Sequence, residues 1–166
     1  MSSGSIAVVI LAAGKGTRMK SALPKVLHQV AGKAMVQHVV DAATSLAADN
    51  TVIVYGHGGD KVKSVVNGDH LQWAEQAEQL GTGHAVAQAM PLVKEDIVLV
   101  LYGDVPLIRP ETLREFVQCV DDQTLALMTL TLDDPSGYGR IVRDGQNNVQ
   151  RIVEQKDASE AELGIP

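Results

Sequence analysis

Residues 6–25 read IAVVILAAGKGTRMKSALPK, and the change of character halfway along this stretch decides the fold. Ile6 to Leu11 is a short, unbroken, β-branched apolar run, the pattern of a strand buried on both faces. It is too short to cross a bilayer and has no basic segment ahead of it, so it reads neither as a membrane helix nor as a secretion signal. Beyond Leu11 the chain becomes small and cationic. Ala12, Ala13, Gly14 and Gly16 leave little side chain over the backbone, so main-chain N–H groups can approach an anion closely. Arg18 and Lys25 bring long cationic arms to the same place. Positioning combined with positive charge is what a phosphoryl-transfer site requires. Two better-known glycine loops are excluded. A dinucleotide-binding G-x-G-x-x-G needs glycine at position 19, where Met19 stands, and a P-loop needs Ser or Thr after Gly14-Lys15, where Gly16 stands.

Outward from this strand and loop, strands and helices alternate. A helix is predicted over Met35 to Ala48 and a strand over TVIVYG from Thr51. A short helix follows over Asp60 to Asn67, then a short strand over Leu71 to Ala74. A helix opens at Gly81 and a strand runs from Ile97 to Leu101. Pro110 starts another helix, where its missing N–H is harmless. Such alternation predicts an α/β fold, a parallel sheet with helices on both faces. After residue 123 the pattern changes to an antiparallel excursion. A strand is expected over Leu125 to Leu132, another over Arg140 to Arg143, and an Asp144-Gly145 turn leads into Val149 to Glu154. ASEAELGIP, from Ala158, begins like a helix with nothing to pack it.

Ligands of open parallel sheets bind beyond the carboxyl ends of strands, and two further motifs lie there. YGDVP, Tyr102 to Pro106, places Asp104 directly after a buried strand, where a carboxylate suits a hard cation such as Mg²⁺. An aspartate at a turn is as often a cap; the cationic loop on the same sheet edge favours the metal. QAEQLGTGHA, Gln76 to Ala85, opens a helix with Gly81-Thr82-Gly83, whose free N–H groups suit a polar ligand; taken alone it reads as an ordinary helix start with Thr82 or Gly83 near the cap, and the other two motifs favour the ligand. Gln76 has the paired donor and acceptor needed to read a base edge. The five histidines show no metal-ligand spacing; His57, in YGHGGD, is the one nearest a loop of interest. Cys119, in the apolar-periodic LREFVQCV, reads as a core thiol, Trp73 as a packing residue, and Glu75 and Glu78 as a solvated face.

Composition sets the class. Apolar residues at 45% and charged residues at 20% over 166 residues describe one soluble globular domain. A single cysteine rules out an internal disulfide framework and fits a reducing, cytoplasmic setting. The net charge of −6 argues against nonspecific nucleic-acid binding. Its distribution is uneven: five cations and no carboxylate precede Asp41, so the remainder of the chain carries −11. A cationic segment on an acidic body draws a small anionic ligand to one place.

In the order LAAGKGTRM, LPKVLHQVAGKAM, QAEQLGTGHA, LYGDVPL, DDPSGYGRIV and IVEQKDA, the chain closely resembles the amino-terminal pyrophosphorylase domain of the bacterial bifunctional N-acetylglucosamine-1-phosphate uridyltransferases, from Ile6 to Ala158. The resemblance implies a Rossmann-like three-layer sandwich of the nucleotide-diphospho-sugar transferase type. It implies Mg²⁺-dependent transfer of UMP from UTP to N-acetylglucosamine 1-phosphate, giving UDP-N-acetylglucosamine for peptidoglycan and lipopolysaccharide precursors. Leu11, Ala12, Ala13, Gly14, Gln76, Gly81 and Thr82 would hold the uridine. Arg18 and Lys25 would be the catalytic cations on the triphosphate, and Asp104 the Mg²⁺ ligand. Tyr102, Gly103, Gly139 and Glu154 would line the sugar-phosphate side. It also implies that residues 1–166 form an incomplete uridyltransferase domain. Two further asparagines of the family, one on the sugar and one on the metal, would lie past Pro166, as would the acetyltransferase β-helix that makes the full-length protein a homotrimer. Little turnover is therefore expected of residues 1–166 alone. The alternatives are another sugar- or polyol-phosphate nucleotidyltransferase, sharing the A-A-G-x-G-x-R-M and P-K pattern, and a nucleotide-binding module without turnover. No nucleic acid or membrane is expected as a partner.

Overall fold

A computed structural model describes residues 4–166 apart from 15, 17, 18, 57 and 122. The chain divides into two compact units, residues 1–126 and 127–166.

The first unit is built on the predicted run. β1 (Ile6–Ala12) pairs in parallel with β4 (Asn50–Tyr55) on one side and with β6 (Ile97–Tyr102) on the other; β5 (Leu71–Glu75) pairs in parallel with β4. The sheet order is therefore β5-β4-β1-β6, with β1 flanked on both edges. Alternate β1 side chains enter different cores, as a pleated strand requires. Val8, Ile10 and Ala12 join Ile53, Leu99 and Leu101 under α1 (Met35–Ser45) and α4 (Pro110–Val117), with Val62 of α2 (Gly59–Val65) closing that side. Val9 and Leu11 join Val52, Val54 and Ala74 under α3 (Thr82–Ala89). The result is the expected three layers, helices on both faces of a parallel sheet.

Local details refine the expected boundaries. α1 ends at Ser45 rather than Ala48. Ala47 turns left-handed (φ 56°), which lets Asp49 reach the start of β1. There its carboxylate accepts the Ile6 N–H at 2.8 Å, and its own N–H donates to the Ile6 carbonyl at 2.9 Å. A small antiparallel hairpin, β2 (Gln29–Val30) with β3 (Lys33–Ala34), was not predicted. It turns on Ala31 and Gly32, both at positive φ, as a two-residue hairpin loop of the primed type demands.

Asn50 is the buried polar residue at the foot of β4, 7% exposed. Its Nδ2 donates to the Leu92 carbonyl at 2.9 Å and to Glu95 at 3.3 Å, while its Oδ1 accepts from Gln72 at 2.9 Å. Asn50→Leu leaves these partners unsatisfied and is expected to lower stability by about 1–3 kcal/mol, measured by urea unfolding. A loss within error would show that water replaces the side chain.

In the second unit, β7 (Arg140–Arg143) pairs antiparallel with β8 (Val149–Val153) around the expected Asp144 turn. Asp144 Oδ1 accepts the N–H groups of Gln146 and Asn148, each at 2.9 Å. The Asn148 side chain, with these N–H groups, holds the Asp144 carboxyl below its ordinary range. The strand expected over Leu125 to Leu132 does not form. Its alternating apolar residues find no ladder partner among the described residues, and Leu125 and Leu130 are 94% and 73% exposed. Alternation signals a half-buried strand only where a neighbour exists to pair with it. The segment from Ala158 is likewise better held than expected. α5 (Glu160–Leu163) begins with a reciprocal capping box between Ser159 and Glu162, and Arg151 of β8 pairs with Glu162. Cys119 also departs from expectation: α4 stops at Val117, and the thiol is exposed rather than in the core.

No helix among the described residues is long and apolar enough to cross a membrane.

Candidate functional site

In the sheet order β5-β4-β1-β6, the chain moves to one side of β1 and then returns to the other. The loops after β1 and β6 therefore diverge, and a crevice opens at their carboxyl ends. A cavity of about 420 Å³ lies there, walled by Leu11, Ala13 and Gly14 from the first loop and by Tyr102 and Asp104 from the end of β6. Gln76, Gln79, Gly81 and Thr82 form its third wall.

The glycines of the first loop have separate jobs. Gly14 has nothing within 4 Å of where a Cβ would sit, so it leaves open space beside the cavity. Gly16 has φ +59°, and a Cβ there would stand 2.7 Å from the Cβ of Lys25, so the loop folds onto Lys25 only with glycine at this position. Lys25 itself begins a 3₁₀ turn whose next two residues, Val26 and Leu27, are buried and anchor it. Its Nζ lies 2.5 Å from Asp104 Oδ2, both side chains being about a third exposed (37% and 27%). The predicted cation and the predicted carboxylate thus meet at the cavity wall as an ion pair. Arg18, with Lys15 and Thr17, lies outside the described residues, as does His57.

The structure distinguishes two predicted residues from the rest. Ala12 packs into the α1-side core and sends no side chain to the cavity. Gly103 is buried: its N–H donates to the Leu11 carbonyl at 2.9 Å, and a Cβ would crowd that oxygen at 3.1 Å and Val26 at 3.3 Å. Gly103 therefore allows the ends of β1 and β6 to close up, which sets Asp104 beside Lys25.

The third wall is held by main-chain and amide bonds. The Gln76 N–H extends the sheet to the Tyr55 carbonyl at 2.8 Å, and its side chain is buried at 3% exposure. Gln76 Nε2 donates to the Gly81 carbonyl at 3.0 Å and lies 3.1 Å from His84 Nδ1. Gln79, not singled out from the sequence, donates through Nε2 to the Ala13 carbonyl at 2.9 Å and so ties this wall to the first loop. A polar run such as QAEQ gives no sign of which glutamine faces inward. Gly81 has φ 103° with ψ 179°, a conformation open to glycine, and it turns the chain into α3. Thr82 is the first residue of that helix, whose leading N–H groups have no acceptor within it. The cavity wall therefore has a cation, helix N–H donors, a carboxylate and an amide, which suits a phosphorylated ligand carrying a heteroaromatic base.

Among the described residues no group of three or more His, Cys, Asp or Glu side chains is placed to hold a metal ion. Asp104 is the one carboxylate among the lining residues. That donor set fits Mg²⁺, which commonly takes one or two carboxylates and fills its shell with water and substrate phosphate oxygens.

In the second unit, Gly139 and Glu154 are brought side by side at the open end of the β7–β8 hairpin. A Cβ on Gly139 would come within 3.4 Å of the Val153 carbonyl, immediately before Glu154. Arg140 is buried at 3% exposure and donates to the Tyr138 carbonyl, bracing the turn next to Gly139.

Comparison with known proteins places the chain among nucleotidyltransferases. The model of the MobA-like NTP transferase domain matches residues 8–140. The chain is 84% identical over 161 residues to the bifunctional protein GlmU of Alcanivorax borkumensis, covering 97% of this chain and 36% of that protein. It is 60% identical to the bifunctional protein GlmU of Chromohalobacter salexigens, covering 95% and 35%. The chain thus spans little more than a third of the length of these curated relatives. Among solved structures, a UDP-glucose pyrophosphorylase complexed with UDP-glucose superposes with a TM-score of 0.71 at 17% identity, covering 97% of this chain and 72% of that one. The shared fold is that of the nucleotide-diphospho-sugar transferases.

Proposed function

Because the chain belongs to the MobA-like NTP transferase family, we propose that its cavity binds UTP and serves transfer of UMP to N-acetylglucosamine 1-phosphate, releasing pyrophosphate and giving UDP-N-acetylglucosamine. The observation that carries this reading is the meeting of Lys25, Asp104 and Gln76 around one cavity at the switch point of the sheet. The sugar and the base come from the sequence resemblance and from the close GlmU relatives.

The chemistry asks little covalent work of the protein. An oxygen of the sugar 1-phosphate attacks the α-phosphorus of UTP in line. The new O–P bond forms as the bond to the β-phosphate oxygen breaks, and pyrophosphate leaves with that electron pair. The nucleophile is already an anion, so no base and no enzyme-bound intermediate is required. Lys25 reaches the phosphate oxygens and stabilises charge on them, the role the resemblance also gives Arg18. The first-turn N–H groups at Thr82 add fixed donors, and Gln76 faces the base. The resemblance gives Tyr102, Gly103, Gly139 and Glu154 to the sugar phosphate. Asp104 would hold Mg²⁺, which supplies neutralisation of the triphosphate when bound. The product would feed cell-wall precursor synthesis in the cytoplasm, in a full-length protein that assembles as a trimer.

The test is calorimetric titration of the protein with UTP, CTP, GTP and dTTP in Mg²⁺. UTP is expected to bind at least about tenfold more tightly than the others, the worth of roughly one well-made hydrogen bond. Equal or tighter binding of another nucleotide would replace the uridylyl reading with that of a sister transferase. In a protein of the relatives' full length, following pyrophosphate release with UTP and N-acetylglucosamine 1-phosphate separates a transferase from a binding module.

A further inference from the structure

His84, on the first turn of α3, carries no role in the reaction as described, yet both its ring nitrogens are engaged by glutamine amides. Gln76 Nε2 lies 3.1 Å from Nδ1, and the side-chain amide of Gln88, one turn further along α3, lies 3.1 Å from Nε2. The Gly81 carbonyl can only accept, so the Gln76 amide must keep its nitrogen toward Gly81, at 3.0 Å. The second hydrogen on that nitrogen then points at His84 Nδ1, which must offer a lone pair. The imidazole proton is thereby placed on Nε2. The Gln88 nitrogen stands 3.1 Å from that ring nitrogen and 3.3 Å from the His84 carbonyl, so the Gln88 amide accepts the ring proton only by turning over and giving up that longer contact.

This arrangement leaves Gln76 one group for the cavity. Both Nε2 hydrogens are engaged inside the protein, so the amide meets a ligand through its carbonyl oxygen alone. Such a fixed acceptor suits a base whose ring edge carries an N–H, as uracil does at N3. Cytosine presents a lone pair at that same ring position and would set acceptor against acceptor. A freely rotating glutamine would serve either base by turning over.

We propose that His84 is a positioning residue: by taking the second Nε2 hydrogen beside the Gly81 carbonyl, it adds to the hold on the Gln76 amide as an acceptor and so strengthens the cavity's preference for uracil over cytosine. The inference rests on the uridine reading of the cavity. It concerns the source of that preference.

The experiment has two arms. In nucleotide-free protein, long-range ¹H–¹⁵N NMR of the histidine rings is expected to show His84 as the neutral Nε2–H tautomer; an Nδ1–H tautomer would overturn the lock. In calorimetric titrations with Mg²⁺, His84→Leu is expected to reduce the UTP-to-CTP preference about tenfold, the worth of one hydrogen bond. His84→Asn, whose Oδ1 can stand where Nδ1 stood, is expected to restore most of it. Thermal unfolding of both variants, checked against wild type, separates a lost lock from a lost fold. An unchanged UTP-to-CTP ratio in His84→Leu, or an equal loss in both variants, would overturn the proposal. Wild-type protein that binds no UTP would overturn the functional reading instead, while the tautomer still decides whether the amide is held.

Discussion

Asp104→Asn is expected to remove the Mg²⁺ dependence of UTP binding and, in a protein of the relatives' full length, to lower pyrophosphate release by about 10²–10³-fold, the usual consequence of losing a transition-state charge partner. The substitution keeps the shape of the side chain and removes its charge. Asn retains an oxygen, but a neutral amide is a poor ligand for a hard cation that must stay close to triphosphate oxygens. The same change strips Lys25 of its partner 2.5 Å away. Asp104→Asn and Lys25→Met should therefore be non-additive when combined, because each single change already breaks the pair. Calorimetry with and without Mg²⁺ reads the first effect, and pyrophosphate release reads the second. Near-wild-type values in both would remove Asp104 from the site.

Ile10→Ala is expected to destabilise the first unit by about 2–5 kcal/mol, the range for emptying a well-packed core position. Ile10 is wholly buried at the middle of β1, level with Ile53 on one neighbour and Leu101 on the other. Three strands converge on that point, so the surroundings have little freedom to collapse into the gap. Against a total stability of about 5–15 kcal/mol for a typical domain, the loss is large. Urea unfolding followed by circular dichroism would report it as a shift in midpoint at unchanged slope. A loss below about 1 kcal/mol would mean that the core is not centred on β1.

What could be read from the sequence was local, and what could not was set by distance. The run from Ile6 to Leu11 announces a buried strand because its periodicity and β-branching are properties of the run itself. The following loop announces its anion chemistry for the same reason, and Asp104 follows from its place at the end of a second such run. The strand expected over Leu125 to Leu132 failed because a strand is defined by a neighbour, and alternation carries no information about whether one is there. The early end of α1 depends on Asp49 reaching Ile6, a contact across 43 residues. Gln79 and His84 carry no local signal, because their partners, the Ala13 carbonyl and the Gln76 amide, are brought to them only by folding. Ala12, from the small-residue loop and the resemblance, and Gly103, from the resemblance alone, carry ligand-side expectations. The structure gives them a visible packing function, which a motif cannot separate from ligand contact.

The Lys25–Asp104 pair also bears on the form in which a nucleotide is taken up. It is an internal salt, with each charge already compensated by the other. A bare triphosphate can satisfy only the lysine and leaves the carboxylate facing like charge. A bare divalent cation satisfies only the aspartate. A cation and a polyanion arriving together let both partners change over at once, in the manner of a double decomposition between two salts. The wall thus favours the metal–nucleotide complex over either component by itself. Because the number of charge contacts is nearly conserved in the exchange, added salt should weaken that complex far less than it weakens binding to an unpaired lysine.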